Sequence, residues 1–219
     1  MKREITLAIE TAVAGGSLSL FEGDSIIDNW IGKKEVSRSE ELISEISEIL
    51  KRNCLKPLDL ETLAVSRGPG SYTGARIGLA TALGLKDGLS IKCFGVSILD
   101  AFYTFYNSLE NPKLDVIAAI SFKKSEICFQ SFENYFDKKG CERILPQITS
   151  FEKFIQFVNQ KTNTRVILNQ KLYFDIENHW NIDMSGIVNA GEKLSDHIGQ
   201  QLIKGYGSDN LKPIYPYAL

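Results

Sequence analysis

The chain has 219 residues, a formal net charge of −2, 43% hydrophobic and 24% charged residues, ordinary values for a soluble globular protein with a substantial core. Mild acidity argues against a protein that grips nucleic acid mainly through its own surface, and four scattered cysteines (Cys54, Cys93, Cys128, Cys141) without a C-x-x-C pair suit neither a zinc site nor a disulfide framework. The longest apolar stretch, Ile77 to Leu85, is too short to span a bilayer, and the start turns acidic at Glu4, so no signal peptide or membrane span is expected and a reduced, cytoplasmic setting is.

Residues 5–11, ITLAIET, form a short apolar run with β-branched members and predict a buried strand. In residues 16–31, Leu18 and Leu20 alternate with Ser17 and Ser19, and Glu22-Gly23-Asp24 supplies a turn, which predicts a hairpin. Ser37 and Glu40 have capping-box spacing, and Leu42, Ile43, Ile46, Ile49 and Leu50 recur at helical spacing, giving an amphipathic helix over about 38–52. A strand at 62–66 enters a glycine-rich loop and a second helix over about 73–87. Another strand at 91–97 leads into a third helix at Ile98. Strands joined through helices pair in parallel, so this is an α/β layer fold. Around Asn111-Pro112 the pattern restarts: a hairpin about Phe122-Lys123-Lys124, a helix from Phe151, a strand at 164–169 and a last helix over 191–207. Two similar halves are expected, 1–109 and 110–219, the second less regular and its last helix able to pack back on the first half.

The loop SRGPGSYTGAR does not match either common phosphate-binding pattern. A P-loop needs lysine and a hydroxyl after its last glycine, and Gly74 is followed by Ala75-Arg76. The dinucleotide fingerprint needs G-x-G-x-x-G directly after a first strand, whereas Gly68, Gly70 and Gly74 are spaced G-x-G-x-x-x-G after a later one. Free N–H groups near Ser71 and Thr73 could still attract an anion. A tight turn capped by Ser71 or Thr73 is the preferred alternative. The helix that follows carries only Arg76 as a charge between Gly74 and Leu85. Gly74, Gly78, Thr81 and Ala82 form a stripe of small residues, and Leu79 and Leu83 lie on another face. A helix apolar all round is expected to be covered all round, here at a subunit interface.

Catalytic chemistry is thinly represented. His179 and His197 lack metal-ligand spacing, there is no G-x-S-x-G elbow, and Cys93 sits inside an apolar strand as a small core residue. Glu10 ends the first strand, where α/β proteins place functional groups, but a strand-end glutamate also commonly holds a loop.

LAIETA, RSEELI, AVSRGPGSYTGARIGLATALGL and CFGVSILDA together resemble the TsaB (YeaZ) family, paralogues of the threonylcarbamoyl transferase TsaD. The family loop is matched at Arg67, Gly68, Pro69, Gly70, Ser71, Tyr72, Thr73, Gly74 and Arg76, over roughly the first hundred residues in order. The second half departs: Ser121-Phe122-Lys123-Lys124-Ser125-Glu126 replaces the usual D-A-R-R-G-E hairpin, and the tail keeps only Pro213 and Tyr215 of its motif; in the first half, the first helix reads Arg38-Ser39-Glu40 instead of H-S-E. The resemblance implies an actin-like ATPase-domain fold of two βββαβα halves, the second degenerate.

It also implies an accessory subunit rather than an enzyme. The positions of the transferase's H-x-x-x-H metal motif align with Ile98 and Phe102, and the loop from Glu10 to Gly16 lacks the D-x-G-T phosphate sequence. Expected partners are a TsaD-type transferase and a TsaE-type ATPase, with tRNA reached through the complex, a homodimer when isolated, and no membrane. The joint task is to place threonylcarbamoyl on the adenosine beside the anticodon of tRNAs reading codons that begin with A. The expected interface is Ile43, Ile46, Leu50, Gly74, Gly78, Leu79, Ala82 and Leu83. No catalytic or metal residue and no cofactor of its own is expected; ATP or ADP would sit at or near the partner interface. The competing reading is an independent ATP- or ADP-binding protein with weak nucleotidase or kinase activity, using a residual cleft at Glu10 and Thr11. A peptidase would need a metal pair or a nucleophile–base pair that the sequence does not offer.

Overall fold

Alternation along the first strands decides which face of a sheet each residue serves. In the computed structural model, which describes residues 4–13, 15–32, 39–109, 114–123, 125–132, 145–180 and 182–218, β1 (Ile5–Glu10), β2 (Ser17–Glu22) and β3 (Ser25–Ile31) form an antiparallel meander. Ile5, Leu7 and Ile9 of β1 and Leu18 and Leu20 of β2 point into one buried cluster. Helix α1 (Ser39–Arg52), strand β4 (Leu60–Ser66), helix α2 (Tyr72–Leu89) and strand β5 (Lys92–Val96) follow, and β4 and β5 join in parallel to give the order β3-β2-β1-β4-β5. Leu42, Ile46, Ile49 and Leu50 of α1 and Leu79 and Ala82 of α2 fill the same cluster, so both helices cover this face.

The opposite face takes α6 (Leu194–Ile203), the last helix. It docks by hydroxyls: Ser17 Oγ accepts from Ser195 N–H at 2.9 Å, and Ser19 Oγ lies 2.6 Å from Ser195 Oγ and donates to Asp196 Oδ1 at 2.5 Å. The serines that alternate with leucines in β2 thus face a helix rather than solvent. Gly199 makes the close approach: a Cβ there would lie 2.1 Å from Phe21 Cε2.

The second sheet is built from β6 (Asp115–Lys123), β7 (Glu126–Phe132), β8 (Gln147–Ser150), β9 (Thr164–Leu168), β10 (Ile187–Asn189) and β11 (Tyr217–Ala218), in the order β10-β9-β6-β7-β8-β11. Leaving β11 aside, this repeats the first sheet position for position. The pairing senses repeat as well: β6–β7 and β7–β8 are antiparallel, β6–β9 and β9–β10 parallel. The fold is therefore α/β and actin-like, with two βββαβα halves. The irregularity expected of the second half lies in its short strands, three residues in β10 and four in β8. Its core joins Ile117, Ile127, Phe129, Val166 and Leu168 to Phe154 and Ile155 of α4 (Phe151–Asn159) and Leu172 and Ile176 of α5 (Gln170–His179).

The chain divides into one unit of Met1–Ala101 with Lys193–Ile214 and another of Phe102–Glu192 with Tyr215–Leu219. A single boundary at 109/110 does not describe this, because α3 (Ile98–Leu109) runs on into the second unit and α6 rejoins the first. The last helix is also shorter than the expected span of 191–207. It ends at Ile203, and Gly205 takes φ +86, a left-handed conformation that terminates the helix. Ser37 and Arg38 of the expected cap, Asn111-Pro112, Lys124 and Cys141 lie outside the described residues. Among the described residues, no helix is long and apolar enough to cross a membrane.

Two glycines on different surfaces test this packing. Gly199→Val should lower stability in urea unfolding by about 2–3 kcal/mol through overpacking against Phe21. Gly84→Ala, in α2 with nothing within 4 Å of the new methyl, should raise it by about 0.5–1 kcal/mol. Equal effects from the two would contradict the docking of α6.

Candidate functional site

The glycine loop is pressed against the turn that ends β1. Ser71 N–H donates to Ala12 O at 2.6 Å, and the Thr11 hydroxyl donates to Gly74 O at 2.8 Å. A Cβ at Gly70 would lie 2.3 Å from Ala12 O, one at Gly74 2.0 Å from Thr11 O, and one at Gly78 2.2 Å from Thr11 Oγ1. The small-residue stripe of α2 thus allows close approach of backbone, as its spacing suggested, but the backbone is that of the same unit. Ser71 caps the helix by accepting from Gly74 N–H at 3.2 Å. Gly68 has φ +86 where the chain turns out of β4, and its N–H donates to Ser66 Oγ.

Glu10 holds this turn from below. It is 1% exposed, and its Oε1 accepts from Ala12 N–H at 2.6 Å and Val13 N–H at 3.0 Å. Burial pushes the carboxyl up to about 7, opposed by those two N–H groups and by a hydrogen bond with Ser66. Thr11 is buried too, with its hydroxyl given to Gly74. Both residues of the expected residual cleft therefore bond their own neighbours. Cys93 is buried in the core, and desolvation pushes its thiol up to about 11, an inert state. His197 is buried on α6, while His179 is exposed at the end of α5, its Nδ1 3.0 Å from Asp175 O. Ile98 and Phe102 are fully buried.

The eight expected interface residues separate into two groups. Ile46, Leu50, Gly74, Gly78, Leu79 and Ala82 are buried within the unit, so they are core rather than contact surface. Ile43 and Leu83 are 51% and 38% exposed. Within the unit, α2 has one covered and one open face. On the open face stand Tyr72, at 53% exposure, Arg76, Ala80, Leu83, Gly84 and Gly88, with Asp87 the acidic member. Arg76 lies over the Tyr72 ring at 3.6 Å, a cation–π pair whose i, i+4 spacing was visible in the sequence. Arg67, by contrast, braces: its Nε donates to Lys212 O at 2.8 Å. That long-range contact had no local signal.

Glu10 makes the stability of the turn depend on pH. An unfolded carboxyl ionises near 4.5 and the folded one near 7. As pH rises through this window the unfolded state releases its proton first, so stability present below 4.5 is lost, about 3 kcal/mol once the pH is above 7. Glu10→Gln keeps an acceptor oxygen for Ala12 and Val13 and removes the titration. Denaturant unfolding at about pH 5 and about pH 8 should show the variant gaining on the wild type by roughly this amount. A difference independent of pH would refute the assignment.

Comparison with known proteins places this geometry. The family model for tRNA N6-adenosine threonylcarbamoyltransferase, TsaD, matches residues 34–204. The tRNA threonylcarbamoyladenosine biosynthesis protein TsaB of Haemophilus influenzae is 29% identical over 162 residues, covering 74% of this chain and 64% of that protein. TsaB of Escherichia coli is 30% identical over 136 residues, covering 61% and 56%. The chain thus spans less than two thirds of the length of these relatives. Among solved structures, YeaZ from Pseudomonas aeruginosa superposes with a TM-score of 0.66 at 17% identity, covering 97% of this chain and 99% of the other, a likeness of fold. With the family model covering most of the chain and the motif loop in place on α2, the chain belongs to the tRNA N6-adenosine threonylcarbamoyltransferase (TsaD) family and, within it, to the TsaB (YeaZ) group.

Proposed function

We propose that this chain is a non-catalytic, TsaB-type subunit in tRNA threonylcarbamoyladenosine biosynthesis, and that the open faces of α1 and α2 dock a TsaD-type transferase. A TsaE-type ATPase joins the assembly, which attaches threonylcarbamoyl to the adenosine beside the anticodon of tRNAs reading codons that begin with A. The pathway is the one named for the Haemophilus and Escherichia relatives. The tRNA is reached through the complex, and any ATP or ADP is held at or near the partner interface. When the transferase is absent, a second copy of the chain takes the same face.

One observation carries the docking role. The open face of α2 is poor in charge and offers Tyr72, Arg76 and Leu83, beside an α1 that exposes Ile43. A solvated helix normally wets its outer stripe with charges. Interface centres instead are depleted in charge and enriched in tyrosine and arginine. The non-catalytic role is supported by Ile98 and Phe102, apolar and fully buried where the resemblance aligns the transferase's paired histidines.

The test uses Ile43→Glu and Leu83→Arg. Both sites are exposed, so the fold survives and only docking should suffer. Titrating the full chain into a TsaD-type transferase by calorimetry, with and without ATP, should give at least about tenfold weaker binding for each variant, because each buries an unpaired charge. Wild-type affinity in both folded variants would sink the docking role.

A further inference from the structure

We infer that the irregular segment from Gly207 to Ile214 is a strap that positions the start of α2 for partner binding, so that residues remote from the docking face set its affinity. This inference rests on the docking role proposed above. The segment lies along the otherwise open edge of β5. Gly95 and Ser208 exchange both backbone hydrogen bonds, at 2.8 and 3.1 Å, and Leu211 packs against the core of the unit. The strap then takes hold of Arg67 twice. Arg67 Nε donates to Lys212 O at 2.8 Å, and Arg67 O accepts from Ile214 N–H at 2.8 Å. On the sheet side, Arg67 N–H donates to Val96 O at 2.8 Å.

The strap has its own shape as well. Asn210 N–H donates to Ser208 Oγ at 3.1 Å, and Asn210 Oδ1 accepts from Lys212 N–H at 2.9 Å, closing two tight turns that aim the Lys212 carbonyl. Space for it is reserved at Gly95, where a Cβ would lie 2.4 Å from Arg67 Cδ and 2.6 Å from Asn210 O. Immediately after Arg67 come Gly68, Pro69, Gly70 and the capping Ser71, so the direction in which α2 leaves the sheet is set at the residue that the strap holds. Tyr72 and Arg76, the stacked pair on the open face, sit in the first turn beyond it. Loss of the strap would leave the core intact and misaim that pair.

Two full-chain variants probe the strap without touching the docking face. Gly95→Ala wedges the strap away from Arg67, and Ile214→Pro removes the N–H that Arg67 O accepts. Hydrogen–deuterium exchange on the isolated protein should show the amides of residues 71–76 exchanging at least about tenfold faster in both. Calorimetry against a TsaD-type transferase should show binding weakened by about fivefold or more, with the global unfolding midpoint of Ile214→Pro little changed. Leu83→Arg serves as the direct-contact control. Unchanged exchange in both variants, or faster exchange with undiminished binding while Leu83→Arg binds poorly, would overturn the strap inference alone. Full-strength binding by Leu83→Arg would overturn the docking role, and with it the positioning role of the strap.

Discussion

Everything in the first unit turns on how closely the backbone of Thr11 and Ala12 approaches α2. Three glycines line that contact, and a methyl at any of them would sit between 2.0 and 2.3 Å from an oxygen of the turn. At Gly70 and Gly74 that oxygen is a backbone carbonyl, so a side chain there requires movement of a backbone element; at Gly78 it is the Thr11 hydroxyl. Ser71 and Thr11 turn the contact into hydrogen bonds running in both directions. Helix α2 is therefore registered against the end of β1 at its N-terminal half. Its buried Leu79 and Ala82 then fall into the shared cluster with α1, with Ile77, Leu85 and Leu89 packed against it.

That registration explains why α2 has so little charge on two faces for two different reasons. The inner stripe is small because backbone must pass close to it. The outer stripe is small or apolar although Ala80, Leu83, Gly84 and Gly88 are exposed, and a side chain at Gly84 or Gly88 would meet open space. Helix propensity alone would favour charged or long polar residues at exposed glycines. The same distinction separates Ile43 from Ile46 on α1: three residues apart, one exposed and one buried against the sheet.

The elements that could be read from the sequence were those whose pattern is local. The leucine–serine alternation of β2, the apolar periodicity of α1 and the glycine loop each announced their element within a few residues. What escaped was set by contacts distant in the chain. The stripe at Gly74 and Gly78 signalled a close neighbour but could not say whether that neighbour was Thr11 or another molecule, since periodicity records proximity and not identity. Helix α5 buries only Leu172 and Ile176 and offers too weak a stripe, while β10, at three residues, is below the length at which alternation is visible. The return of α6 to the first unit was allowed for, but the contacts that make it, serine hydroxyls and Gly199, are residues that sequence patterning treats as neutral. The strap at Gly207–Ile214 has no periodicity at all; only its asparagine and serine turns hinted at shape.

Glu10 shows how a position suited to ligand chemistry can be turned to structure. The amides of Ala12 and Val13 converge on the end of β1, and converging N–H groups at a strand end are what an incoming anion would seek. Here they meet a carboxylate tethered two and three residues away. An external phosphate would have to displace an acceptor whose effective concentration is set by a tether of two to three residues, and would bring further negative charge beside a carboxyl that burial already disfavours as an anion. The turn thus uses these donors internally, and the hydrogen bonds to Glu10 shape the turn whose Thr11 hydroxyl and Ala12 carbonyl then bond Gly74 and Ser71. The residue that reads as a candidate for chemistry acts as the base on which α2 is set.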